Sequence, residues 1–173
     1  ARCQHDGFCI EGMQCAVIEF ARNVLNLPEA HSTEIKEYAA DPVIDLMAEQ
    51  KHIRNMGGTM RLGAYPCKLE PNTKAHLAYG DELIEERHRH RYEFNNDYLE
   101  QFQKAGMIAS GVNPETGLVE VVEVPDHPYF VASQFHPEYA STVLTPHPLF
   151  VSFVRAAQQH SIQPQKVRTE ADA

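Results

Sequence analysis

The stretch Met107-Ile-Ala-Ser-Gly-Val-Asn-Pro-Glu-Thr-Gly-Leu-Val-Glu-Val-Val-Glu-Val-Pro-Asp-His-Pro-Tyr-Phe-Val-Ala-Ser-Gln-Phe135 decides the fold class. It holds three apolar runs of strand length, Met107 to Val112, Leu118 to Val124 and Tyr129 to Phe135. Between them lie Asn113 to Gly117 and Pro125 to Pro128, whose Asn, Pro, Asp and Gly are turn chemistry. Three consecutive sheet strands are the expectation. Just upstream, Asn95 and Asn96 offer caps for a helix from about Asp97 to Lys104, which Gly106 ends. Downstream, Pro148 to Gln159 gathers Leu149, Phe150, Phe153, Val154 and Ala157 on one helical face.

Working further out, Met13 to Leu25 repeats Met13, Ala16, Val17, Phe20, Val24 and Leu25 at helical spacing until Pro28 stops the run. From Ala30 to Gly58 polarity rises and periodicity fades, apart from Val43 to Met47, so a mostly irregular connection is expected. Thr59 to Leu69 reads as two short strand pieces broken by Gly63 and Pro66, and Lys74 to Tyr79 as one or two helical turns. Arg87 to Phe94 alternates with period two, Arg87, Arg89 and Arg91 on one face and His88, His90, Tyr92 and Phe94 on the other. Helices mixed with strands throughout point to an α/β domain over residues 1–159. Residues 160–173 lack apolar content and read as a disordered tail.

With 173 residues, 43% apolar and 23% charged, the chain fits one globular domain. Its formal charge of -9 opposes a phosphate backbone, which argues against nucleic acid as partner. No apolar run approaches the roughly 18 residues of a bilayer span, so no membrane partner is expected and the reading is a cytoplasmic protein. Cys3, Cys9, Cys15 and Cys67 form no C-x2-C pair and no zinc spacing with the histidines; reduced thiols and no metal are expected.

Three segments carry candidate chemistry. In Gly7-Phe-Cys-Ile-Glu-Gly-Met-Gln14, a cysteine stands at the entry to the strongest helix, where unpaired amides and the macrodipole favour a thiolate. Flanking glycines permit a sharp strand-to-helix elbow. Cys9 is therefore a candidate nucleophile, with a small buried hydrophobe as the alternative. In Phe135-His-Pro-Glu138, an extended chain projects His136 and Glu138 to one side, so the carboxylate can orient the imidazole. Thiol, base and base-orienting acid are the parts of a nucleophilic triad. In Glu85 to Glu93, three arginines cancel three glutamates, and His88 and His90 lack an evident third ligand nearby. An arginine holding a carboxylate and a salt-bridged sheet face remain open there.

These residues together resemble one family. Gly-Met-Gln at 12–14, Val-Ile-Glu-Phe-Ala-Arg-Asn-Val-Leu at 17–25, Gly-Gly-Thr-Met-Arg-Leu-Gly at 57–63, Arg-His-Arg-His-Arg-Tyr-Glu-Phe-Asn-Asn at 87–96 and Gln-Phe-His-Pro-Glu at 134–138 are similar to the C-terminal glutaminase domains of the CTP synthase family, over about residues 7 to 159. The resemblance implies a flavodoxin-like three-layer α/β sandwich of the triad glutamine amidotransferase type, and hydrolysis of L-glutamine to glutamate and ammonia through a cysteine thioester. It further implies Cys9, His136 and Glu138 as catalytic residues and Gln14, Glu34 and Arg91 as glutamine-binding residues. The family context adds a synthase domain that uses ATP, magnesium and the ammonia to convert UTP to CTP, GTP as activator near Gly57 to Gly63, and a homotetramer.

Two departures qualify the match. The family elbow reads Gly-x-Cys-x-Gly-Met-Gln, whereas one further residue separates Cys9 from Gly12; without a gap the nucleophile position falls on Ile10. One inserted residue moves the chain by up to about 3.5 Å, and a shift of about 1 Å can cost roughly a hundredfold in rate. The family's domain also begins well before its cysteine, with strands and an oxyanion loop, so the chain reads as the latter part of such a domain. A catalytically impaired module with a binding or regulatory role is the second expectation, and a free-standing glutaminase or peptidase of the same fold the third.

Overall fold

The computed structural model describes residues 12–46 and 60–162, and helices and strands alternate along them. Helix α1 (Gly12–Asn23) buries Met13, Val17, Ile18 and Ala21, a face rotated from the expected one: Met13 and Val17 are shared, Ile18 and Ala21 replace Ala16 and Phe20 at its centre, and Val24 is 47% exposed. It is closed by the Leu27 amide, which donates to the Ala21 carbonyl at 3.0 Å, and by Asn26 in the left-handed region at φ 56°.

The expected irregular connection after α1 is instead partly sheet. Ala30–Ser32 (β1) and Asp41–Leu46 (β2) pair in parallel. Ala30, Val43 and Ile44 are fully buried against α1, so tertiary burial decides what a weak local pattern could not. Residues 47–59 lie outside the described residues.

Strand β3 (Arg61–Leu69) runs through the two expected breaks. Its ladder with β4 (Leu83–His90) extends from Arg61 opposite His90 to Lys68 opposite Leu83. Gly63 takes φ 106°, which only glycine accommodates readily. Pairing on the other edge of β3 begins at Lys68, so Pro66 leaves no bond unmade there. Between these strands lies α2 (Lys74–Tyr79), the helical turns expected there. The Glu123 carboxylate accepts its first amides, Lys74 at 2.9 Å and Ala75 at 2.8 Å, and Gly80 ends it at φ 73°.

The alternating run from Arg87 to Phe94 is not one strand. It bends at Arg91: β4 belongs to a five-stranded sheet, and Tyr92–Phe94 (β5) to a three-stranded sheet of order β1-β2-β5. The face assignment itself holds on β4, where His88 is buried while Arg87 and Arg89 are exposed. A 3-10 turn (Asn96–Tyr98), capped by Asn95 Oδ1 accepting from the Asp97 amide at 3.1 Å, leads into α3 (Leu99–Lys104).

The three runs that set the fold class form β6 (Ile108–Val112), β7 (Val119–Glu123) and β8 (Val131–Ser133), antiparallel in a sheet of order β4-β3-β6-β7-β8. Every residue of β7 is buried, and its valines feed two apolar clusters. One joins Met13, Val17, Ile44, Phe94 and Phe102; the other joins Leu69, Tyr129, Phe135 and Leu149. The last helix, α4 (Pro148–Ile162), runs past its expected end at Gln159, and residues 163–173 lie outside the described residues. The single parallel pairing among the described residues is β1 with β2.

Candidate functional site

After β8 the chain runs to His136, whose amide donates to the Arg87 carbonyl of β4 at 2.9 Å. Pro137 then opens a 3-10 turn (Pro137–Ala140). This turn, rather than the extended dipeptide expected from the sequence, brings Glu138 back onto the imidazole: His136 Nδ1 and Glu138 Oε1 are 2.8 Å apart. Both groups are partly shielded, with side-chain exposures of 18% and 31%. Tyr139 stacks on the His136 ring at 5.0 Å and 19°. With Nδ1 committed to the carboxylate, Nε2 is the ring's other position for a proton.

His136 lines a cavity of about 720 Å³ together with Gln14, Glu34 and Arg91. Four chain segments supply these side chains: α1, the loop after β1, the bend between β4 and β5, and the turn after β8. The Tyr92 carbonyl ties several of them together. It accepts from Gln14 Nε2 at 3.2 Å and from Gln134 Nε2 at 3.0 Å. The Glu34 amide donates to Ser32 Oγ at 3.2 Å, which fixes the loop that carries Glu34. Acidic Glu34 and basic Arg91 on one wall-set provide opposite charges for the two ends of an amino-acid zwitterion. Cys9 and Ile10 lie outside the described residues, as do Gly57 to Thr59. Gly63 lines an adjoining open groove with Arg87 and Arg89, and Arg89 and Met60 line both the groove and the cavity.

Beneath the bend at Arg91 lies a buried polar cluster that sequence reasoning missed. Arg61 Nη1 stands 2.6 Å from Glu120 Oε1 and 3.6 Å from Glu93 Oε1. His88 Nδ1 and His90 Nε2 are 2.7 Å apart, and each ring also approaches a carboxylate, His88 to Glu120 at 3.5 Å and His90 to Glu93 at 3.3 Å. Burial pushes Glu93 up to about 8, with the Glu120 charge adding to it, and pushes Glu120 up to about 7 against the opposing pull of Arg61. Burial, then Arg61, holds both histidines down to about 3, so the rings are neutral.

Glu120 is the third donor that the His88-His90 pair lacked on sequence grounds; the three ligand atoms lie within 4.8 Å of one another. Arg61 already supplies a positive charge to that carboxylate. The available signal was a glutamate inside each apolar run, Glu120 in Leu118 to Val124 and Glu93 between Tyr92 and Phe94. Burial also pushes the Cys67 thiol up to about 12, which removes it as a nucleophile. Among the described residues no helix is long and apolar enough to cross a membrane.

The family model for glutamine amidotransferase class-I matches residues 7–156. CTP synthase of Cytophaga hutchinsonii is 64% identical over 151 residues, covering 87% of this chain, and that of Flavobacterium psychrophilum is 63% identical over 154 residues, covering 89%. The chain spans 28% of the length of each of these two relatives. Among solved structures, the glutaminase domain of Trypanosoma brucei CTPS with bound acivicin superposes with a TM-score of 0.80 at 39% identity, covering 86% of this chain and 58% of that one. A profile match over most of the chain, high identity along that same span and a shared tertiary structure place this α/β chain in the class-I glutamine amidotransferase family, as a domain of the CTP synthase glutaminase type.

Proposed function

We propose that this domain hydrolyses the side-chain amide of L-glutamine through Cys9, His136 and Glu138, with Gln14, Glu34 and Arg91 holding the substrate. The observation that carries the reading is the 2.8 Å His136-Glu138 pair at a cavity that also presents Glu34 and Arg91. Arg91 pairs with the α-carboxylate and Glu34 with the α-ammonium, which aims the amide carbon toward the His136 side of the cavity. The Cys9 thiolate attacks that carbon, and the C–N bond breaks as His136 delivers a proton to the leaving nitrogen, giving ammonia and a glutamyl thioester. His136 then takes a proton from water, the hydroxide attacks the thioester, and the C–S bond breaks to release glutamate and restore the thiolate. Glu138 orients the ring and stabilises the imidazolium in both steps.

In the whole protein, the ammonia passes to a synthase domain that uses ATP with magnesium to aminate UTP to CTP, under GTP activation and in a homotetramer. The relatives' name and the chain's 28% share of their length support this part. The test is ammonia release from glutamine by wild type, Cys9→Ala and His136→Ala. Loss of turnover in both variants is expected; equal, non-zero rates in Cys9→Ala and wild type remove Cys9 from the mechanism. The extra residue between Cys9 and Gly12 favours a second reading, a module that binds glutamine without turnover in a regulatory role. Calorimetric glutamine binding with no ammonia released from wild type selects it.

A further inference from the structure

We infer that Glu93 and Arg61 are positioning residues for the glutamine cavity, holding the sheet-to-sheet bend that presents Arg91 and the Tyr92 carbonyl. The inference rests on the glutaminase reading of that cavity and adds residues that do not line it. Arg91 is the single residue between β4 of one sheet and β5 of the other. The angle between the two sheets at that point therefore sets where its guanidinium and the next carbonyl stand. The Tyr92 carbonyl in turn receives both Gln14 and Gln134.

Among the described residues no strand pairing joins the two sheets, whereas buried side chains cross from one to the other. Arg61 comes from β3 and Glu120 from β7 of the five-stranded sheet, and Glu93 from β5 of the three-stranded sheet. Arg61 thus joins a carboxylate of each sheet, at 2.6 Å and 3.6 Å. His90, on β4, reaches across to Glu93 at 3.3 Å and rests on His88 at 2.7 Å. All five groups are at most 8% exposed as side chains. Both Arg61 contacts are made by the one nitrogen Nη1, so Arg61 is a single buried cation shared by a carboxyl group of each sheet. Because the carboxylates face one cation, ionising both loosens the junction. Glu93 faces Arg61 from β3, His90 from β4 and the charge of Glu120 from β7, and titrates near 8.

The test measures glutaminase KM and kcat in the full chain for Glu93→Ala, Glu93→Gln, Arg61→Lys and Arg91→Ala. Glu93→Ala cuts the link and raises KM about tenfold while kcat stays within about twofold. Glu93→Gln, which matches the protonated acid in shape, restores KM at neutral pH and abolishes the rise of KM that wild type shows as the pH passes through about 8. Arg61→Lys keeps the charge but moves it off the position of Nη1 and raises KM by a similar factor, which serves if Glu93→Ala does not fold. A lowered melting temperature with KM unchanged in Glu93→Ala and Arg61→Lys, while Arg91→Ala raises KM, overturns the positioning role alone. KM unchanged in Arg91→Ala overturns the reading of the cavity, and the positioning role with it.

Discussion

Glu138→Gln separates the two things the carboxylate does for His136. The pair is 2.8 Å apart and the groups are 18% and 31% exposed, a charge-assisted contact that is shielded but not sealed from water. Such a bond contributes about 1.5–3 kcal/mol when the imidazole becomes cationic in the transition state. Partial exposure places this one toward the lower half, and at about 1.4 kcal/mol per factor of ten the loss in kcat is roughly 10- to 40-fold. KM is expected to stay within about twofold, because Glu138 is not among the residues lining the cavity. Glutamine at this position can also turn its amide N–H toward Nδ1, which fixes the wrong tautomer. If tautomer control dominates, Glu138→Gln is slower than Glu138→Ala; if charge dominates, the two are equal. The assay is continuous ammonia release at saturating and subsaturating glutamine, run on wild type, Glu138→Gln and Glu138→Ala. A kcat within twofold of wild type for both variants refutes the role assigned to Glu138, and so does a change confined to KM.

Other perturbations test the packing and the buried charges. Gly111→Ala places a methyl group 2.8 Å from Cys67 Sγ, 2.9 Å from Val121 Cγ2 and 3.1 Å from Leu69 Cδ2. Overpacking of about 1–3 kcal/mol, less about 0.5–1 kcal/mol for removing a strand glycine, leaves a net loss near 1–2 kcal/mol, read by calorimetry as a melting temperature lowered by about 2–8 °C. Phe102→Ala removes a fully buried ring packed against Phe20 and Phe94, at centroid distances of 5.6 and 5.2 Å, and costs about 3–5 kcal/mol in denaturant unfolding. Glu120 has its folded value raised to about 7 from 4.5, so its contribution is fully present below 4.5 and is lost as the pH rises through 7. The stability gap between wild type and Glu120→Gln therefore moves against wild type from pH 5 to pH 8; a pH-independent gap removes the buried titration. Cys67, fully buried with its thiol near 12, is expected to resist alkylation in the native state and to react only on unfolding, as followed by mass spectrometry.

The strands from Met107 to Phe135 were legible because their apolar runs and turn residues agree, and the Asn113 turn shows why. Its side-chain oxygen accepts from the Glu115 and Thr116 amides at 2.9 and 3.0 Å, and Gly117 takes φ 72°, so local chemistry alone closes the hairpin. The existence of α1 and the faces of β4 were legible for the same reason, since period 3.6 and period 2 are local quantities, whereas the face α1 buries is rotated toward Ile18 and Ala21 because β1 and β2 pack there. β1 and β2 were not legible, because Ala30-His-Ser and Asp41-Pro-Val-Ile-Asp-Leu acquire strand character from each other, from β5 and from α1. His136 and Glu138 could be paired from their spacing, although the 3-10 turn that pairs them was not the geometry inferred.

The bend at Arg91 marks the limit of local reading and also locates the chemistry. Period two continues through Arg91 to Phe94 in the sequence, yet the chain passes from one sheet to the other at Arg91. There Arg91 lines the cavity with Gln14, Glu34 and His136, beside Arg89 from the end of β4. The residues that make the change hold are Arg61, Glu93 and Glu120, each polar at a position whose neighbours predict apolar core. Buried charge of this kind is costly for stability and is retained where it specifies an arrangement that apolar packing would leave degenerate. Here that arrangement is the meeting of two sheets, and the side chain standing at the junction is Arg91, the cation proposed for the substrate carboxylate.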